Sequence, residues 1–182
     1  MGRRSKLRNL LVFCLVTGCA SQDVDMPDVQ EAALIAARPY EDAVPENYDA
    51  GRPTPLVVVL HAYMTSGALQ KAYFGLAPVA DETGFLFAYP DGTVNRRGDL
   101  FWNATDGCCN LDGSDVDDVA YLRAVIHDMK RRYNVDAQRV FLVGHSNGGF
   151  MSYRLACDIA DEIAGLVSLA GATWKDAARC HP

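Results

Sequence analysis

Four short apolar runs punctuate the chain: Leu56-Val57-Val58-Val59-Leu60, Phe85-Leu86-Phe87-Ala88-Tyr89, Val140-Phe141-Leu142-Val143, and residues 163–169. Runs of this length without polar alternation predict strands buried on both faces of a parallel sheet. The second run closes with Pro90-Asp91-Gly92, a turn signal. Between the second and third, Val119, Leu122, Ile126, Met129 and Tyr133 recur at spacings of three and four, the apolar face of an amphipathic helix. Ser114 and Asp115 are candidate caps at its start, and Asp117 and Asp118 fall in its first turn, where the helix dipole favours acids. Lys130-Arg131-Arg132 match the dipole at its end, and Asn134 terminates it. Residues 147–157 predict the next helix, and residues 70–82 leave room for one more. Strands alternating with helices, without internal repeats, define an α/β domain with a mostly parallel sheet.

The N-terminus breaks this pattern. Arg3, Arg4, Lys6 and Arg8 precede an apolar run at 10–16, and Thr17-Gly18-Cys19-Ala20 follows. A basic segment, a short apolar one and small residues predict a secretory signal; the run is well short of the roughly 20 residues that span a bilayer. Val16-Thr17-Gly18-Cys19 resembles the bacterial lipobox. Residues 1–18 are therefore read as a lipoprotein-type signal peptide, with Cys19 lipidated and a membrane partner reached through that lipid. Ala20 after the cysteine implies outer-membrane sorting in a cell with two membranes. Ordinary cleavage after Ala20, giving a secreted protein, is the alternative. Arg3-Arg4 falls short of a twin-arginine signal. Residues 19–37 are acidic and lack core-like spacing, apart from a turn or two of helix at 30–37, and read as a tether; the domain proper is assigned to 38–182.

Composition narrows the function. The 182 residues suit one domain, and 49% hydrophobic with 22% charged residues excludes wholesale disorder. The formal charge is −6 despite the basic N-terminus, so the remainder is more acidic still and unsuited to neutralising nucleic-acid phosphates. Six cysteines suggest an oxidising compartment. Setting aside Cys14 and Cys19 leaves Cys108, Cys109, Cys157 and Cys180. A bridge between the neighbours Cys108 and Cys109 is geometrically unfavourable, so two connectivities remain, each joining that pair to Cys157 and Cys180. A zinc site is the competing reading, but the cysteines lack C-x-x-C spacing and a suitable histidine. The aspartates before the amphipathic helix lack the glycine and glutamate of a calcium hand. No metal is expected, and nothing in the sequence sets an oligomeric state.

Candidate chemistry centres on Gly144-His145-Ser146-Asn147-Gly148, which follows a buried strand and opens a helix. That is G-x-S-x-G in the strand–turn–helix context of a nucleophile elbow. Side chains at Gly144 or Gly148 would collide with backbone, and the tight turn lifts Ser146 above the sheet edge. There the helix N-terminus offers free N–H groups to a developing oxyanion. Asn147 would supply one such N–H, and the loop 61–67 after the first strand would supply another. His61 is read as a structural strand-end histidine. His145 points away from the site and His127 lies within a helix, so neither is a convincing base. Trp102, beside Phe101, is a candidate pocket-lining aromatic or a core residue.

In order along the chain stand Pro55-Leu56-Val57-Val58-Val59-Leu60-His61, Tyr89-Pro90-Asp91-Gly92, Phe101-Trp102-Asn103-Ala104 with Cys108-Cys109-Asn110, Val116-Asp117-Asp118-Val119, Tyr133-Asn134-Val135-Asp136 and Gly144-His145-Ser146-Asn147-Gly148-Gly149. This series resembles the polyhydroxybutyrate depolymerase and feruloyl esterase family of secreted α/β-hydrolases. The resemblance implies an α/β-hydrolase-like, mostly parallel sheet with helices on both faces. It also implies a serine carboxylic ester hydrolase that needs no cofactor and acts on an ester-bearing small molecule or polymer. Ser146 would be the nucleophile, with the backbone N–H groups of Tyr63 and Asn147 as oxyanion donors. Two departures stand out. His61-Ala62 replaces the family's usual His-Gly, which questions the loop's geometry. The family's acid and histidine follow the nucleophile on later strands, whereas after Ser146 come only Asp158, Asp161, Glu162, Asp176 and His181. The expectation is an N-terminal portion of an esterase with the last strands missing, inactive by itself, or else a non-catalytic binding domain or unstable fragment.

Overall fold

A computed structural model describes residues 28–182; the signal segment, Cys14 and Cys19 lie outside the described residues. The main sheet has five strands: β1 (Asp42–Ala43), β2 (Thr54–Leu60), β3 (Leu86–Ala88), β6 (Val135–His145) and β7 (Gly165–Leu169). They lie in the order β1-β3-β2-β6-β7. β2, β3, β6 and β7 are parallel and only β1 runs antiparallel, as the continuous apolar runs predict. Two further strands, β4 (Thr93–Val94) and β5 (Leu100–Phe101), form a separate antiparallel hairpin that no apolar run announces.

Alternate residues of each strand feed two cores. Leu56, Val58, Leu60, Leu86, Ala88, Val140 and Leu142 point into the larger one. There they meet α4 (Asp118–Arg132) through Leu122, Val125, Ile126 and Met129, and α5 (Asn147–Asp158) through Met151 and Leu155. On the other face Val59, Phe87 and Tyr89 pack with residues of α2 (Gly67–Phe74) and α3 (Leu76–Thr83). These two replace the single helix expected at 70–82, because Gly75 adopts φ 61° and turns the chain between them.

Other boundaries shift for local reasons. The N-cap of α4 is Asp117, whose carboxylate accepts the Ala120 N–H at 2.9 Å. Ser114 is held instead in a turn by the Asn110 side chain, through both its N–H and its carbonyl. Residues 29–37 were expected in a tether, yet they form α1 (Val29–Ala37), packed on α4 with Leu34 and Ile35 against the core. Apolar spacing gave little hint of this because α1 buries no residue fully.

The cysteine pairing differs from expectation too. Cys108 bridges Cys109, and Cys157 bridges Cys180, rather than the neighbours pairing with the two distant cysteines. The loop carrying Cys108 and Cys109 abuts Phe150 at the start of α5, where Gly107 leaves space for the Phe150 ring. The C-terminal segment instead folds back to Cys157, with Cα atoms 5.1 Å apart.

Candidate active site

The loops after β2, β3, β6 and β7 meet at the C-terminal edge of the sheet, where open α/β sheets place their sites. Ser146 follows β6 with φ 50° and ψ −115°, the positive φ of a tight elbow, and caps α5. Its N–H donates to the Leu169 carbonyl at 2.7 Å, and its own carbonyl accepts the first bond of the helix from Phe150 N–H. The flanking glycines are required. A Cβ on Gly144 would enter the Gly148 carbonyl, and one on Gly148 would enter the Leu60 carbonyl. A Cβ on Gly149 would press on the Ser168 hydroxyl and crowd Gly171, so the glycine lets the loop after β7 settle on the start of α5.

Asn147 opens α5, so its N–H has no intrahelical acceptor. Its buried side chain is fixed by a reciprocal pair: Oδ1 accepts the Trp102 N–H at 2.7 Å, and Nδ2 donates to the Trp102 carbonyl at 3.1 Å. The second expected donor, Tyr63, lies in the loop after β2. That loop is tied by Met64 N–H to the Leu100 carbonyl, Ala62 N–H to Gln70 Oε1, and Gly67 N–H to Asp91. The Tyr63 hydroxyl donates to Asp99 at 2.8 Å and accepts from Asn95, anchoring the loop to the β4–β5 hairpin. Among the described residues, the N–H groups of Tyr63 and Asn147 have no acceptor. Ala62, in the usual glycine position, needs no positive φ, because the positive φ of this loop falls on Met64.

His61 is structural. Gly92 N–H donates to its Nε2 at 2.8 Å, which leaves the proton on Nδ1 to donate to the Ala62 carbonyl at 2.7 Å. Burial pushes this imidazole's pKa below its ordinary value. His145 stacks face to face on Tyr73 of α2, with ring centroids 5.4 Å apart. His127 sits between Glu31 and Glu162 on the far side of α4. Of the acids after Ser146, Asp158 pairs with Arg154, Glu162 with Arg123, His127 and Lys130, Asp176 caps the turn Ala177–Arg179, and Asp161 is exposed in the turn Ala160–Glu162. His181 is exposed. Among the described residues, no histidine or carboxylate is hydrogen-bonded to the Ser146 hydroxyl, and no cluster of three or more potential ligands could hold a metal.

Trp102 corrects the pocket-lining expectation. It is completely buried, donates its indole N–H to the His61 carbonyl at 3.1 Å, and stacks obliquely on the His61 ring. Sequence reasoning missed Asp118 as part of this support. Its fully buried carboxylate pairs with Arg38 at 2.7 Å and accepts Asn103 N–H at 2.7 Å. Desolvation raises its pKa, opposed by the Arg38 charge. The signal was its place at the start of an amphipathic helix, where a solvated capping acid is the usual occupant.

A parallel sheet carrying a serine elbow at its C-terminal edge, backed by a helix N-terminus, defines the α/β-hydrolase fold. The sequence is similar to esterases of the feruloyl esterase kind. NocK of Nocardia uniformis subsp. tsuyamanensis, whose name gives it as an esterase, is 33% identical over 151 residues, covering 83% of this chain and 41% of its own. Feruloyl esterase B of Piromyces equi is 30% identical over 141 residues, 76% of this chain and 25% of its own. An acetyl xylan esterase structure from Aspergillus awamori superposes with a TM-score of 0.57 at 20% identity, over 72% of this chain and 46% of the other. The chain thus spans between a quarter and about half the length of these proteins. No family profile matches it.

Proposed function

We propose that the protein is a serine-dependent carboxylic ester hydrolase working through an acyl-enzyme, on feruloyl, acetyl or polyhydroxyalkanoate-type esters. The observation that carries this reading is Ser146 in a positive-φ elbow at the N-terminus of α5, with the amides of Asn147 and Tyr63 free of acceptors among the described residues. Ser146 Oγ would attack the ester carbonyl, and the N–H groups of Tyr63 and Asn147 would hold the oxyanion. Collapse would expel the alcohol and leave an acyl-serine, which water then hydrolyses. The serine proton must go to a base during attack. Since no base touches Ser146 among the described residues, these 182 residues would turn over slowly at best. A second reading, an ester-binding domain without turnover, rests on that same feature. Lipidation at Cys19 after removal of residues 1–18 would place the domain on a membrane outside the cytoplasm; ordinary cleavage would release it. The two disulfides support an oxidising compartment.

The test is labelling by a fluorophosphonate with peptide mapping, beside hydrolysis of p-nitrophenyl acetate and methyl ferulate. The expected outcome is modification of Ser146 and hydrolysis above blank, both abolished by Ser146→Ala. Hydrolysis that survives Ser146→Ala overturns the serine mechanism. A wild-type protein that binds methyl ferulate yet is neither labelled nor active supports the second reading.

A further inference from the structure

Both halves of the oxyanion site converge on one residue outside it. The loop carrying Tyr63 is reached through the His61 carbonyl, which accepts the Trp102 indole N–H at 3.1 Å. The elbow carrying Asn147 is reached through the Asn147 side chain, which pairs with the Trp102 backbone N–H and carbonyl at 2.7 and 3.1 Å. Trp102 itself is held from several sides: it is fully buried, and the next residue, Asn103, donates its N–H to the buried, Arg38-paired Asp118. The His61 ring against which it packs is pinned at both nitrogens. We propose that Trp102 is a positioning residue that sets the separation and direction of the Tyr63 and Asn147 amides, holding them preorganised for a tetrahedral oxyanion.

The physical case rests on convergence. β2 and β6 are neighbouring strands, so their ends are already close, but backbone pairing stops at the strand ends. Beyond Leu60 and His145 the two loops share no backbone hydrogen bond with each other among the described residues. Trp102 joins them with three hydrogen bonds from a single residue. Preorganised donors gain their catalytic value from staying fixed while charge develops, and small misplacement of a reacting group is costly. An indole that donates to one loop while its backbone clasps the other supplies that rigidity without touching substrate. Buried hydrogen-bonded networks of this kind rigidify as a unit.

This proposal rests on the ester hydrolase reading, and the experiment separates the two. Trp102→Phe keeps an aromatic ring and removes the indole N–H, while the backbone clasp to Asn147 remains available. Ile126→Val, in the same core but on α4, serves as the stability control. Expected for Trp102→Phe is a loss in kcat of about tenfold or more with KM within twofold. A trifluoromethyl ketone, which forms a tetrahedral adduct, should lose affinity in parallel. Ile126→Val should leave kcat within twofold. If Trp102→Phe keeps wild-type kcat, or loses it only as the control does, the positioning role is overturned. Should the wild-type protein show neither turnover nor labelling, the hydrolase reading has failed, and amide NMR then decides the inference. Trp102→Phe is expected to shift the Tyr63 and Asn147 amide signals together, with Ile126→Val moving neither. Unmoved amide signals in Trp102→Phe overturn the coupling.

Discussion

At Gly92 the backbone N–H points at the buried His61 imidazole and fixes its tautomer, with the ring neutral and its proton on Nδ1. Protonating Nε2 would break that hydrogen bond inside the core, so burial holds the pKa below the ordinary value of about 6.5. The unfolded chain takes up this proton more readily than the folded one. Stability from neutral His61 is therefore fully present above pH 6.5 and declines as pH falls below it toward the depressed folded value. Urea unfolding should show the midpoint dropping between pH 7 and pH 5. His61→Gln should lower stability at pH 7 and flatten the slope over that window, and an unchanged slope would place the pH dependence on other groups. Gly148 acts through the atom it lacks. Its absent Cβ lets α5 approach the Leu60 carbonyl, and so sets how near the two donor loops lie.

Among the elements, α1 is the least expected from sequence. Leu34 and Ile35 give it a shallow apolar hold. The rest is ionic: Glu31 reaches His127 at 2.6 Å and Arg131 at 3.2 Å on α4, while Glu162 meets the other nitrogen of His127 at 2.8 Å. The cluster is partly exposed, and such pairs contribute about 0.2–1 kcal/mol each. Glu31→Ala should therefore speed amide hydrogen exchange across 29–37 severalfold, while global stability falls by no more than about 2 kcal/mol. Loss of the whole domain's protection in that variant would mean that α1 unfolds with the core. The amphipathic spacing of α4 was plain in the sequence because seven of its residues are buried. For α1 the pattern was weak, since its partners are charges contributed by another helix.

For the molecule as a whole, the C-terminal segment is fastened rather than packed. Trp174 lies between the guanidinium groups of Arg154 and Arg179, 5.1 and 3.8 Å from its ring. Asp106 accepts Lys175 N–H and pairs with Arg179, and Cys157–Cys180 closes the segment onto α5. With a sequence separation of 23, that bridge stabilises by about 3 kcal/mol through restriction of the unfolded chain. Cys157→Ser with Cys180→Ser should lower the urea-derived stability by about that amount and change the Trp174 fluorescence; an unaltered midpoint would deny the bridge its role. The sheet is unevenly covered. α2 and α3 lie against β2 and β3, while Val167 and Leu169 on β7 remain 53% and 40% exposed.

What the sequence determined was local or periodic. Apolar runs marked β2, β3, β6 and β7, because a strand buried on both faces needs no polar alternation. The elbow was readable because Gly144, Ser146 and Gly148 answer to steric demands within a few residues. Pairings between distant segments were decided by the tertiary structure. Cys108 and Cys109 look equally available to Cys157 or Cys180 until the fold brings Cys180 back to Cys157. Trp102 reads as a pocket aromatic until the β4–β5 hairpin carries it under the sheet edge to His61 and Asn147. Composition and spacing fix which elements form, whereas the partners of a buried side chain depend on which elements the fold brings together.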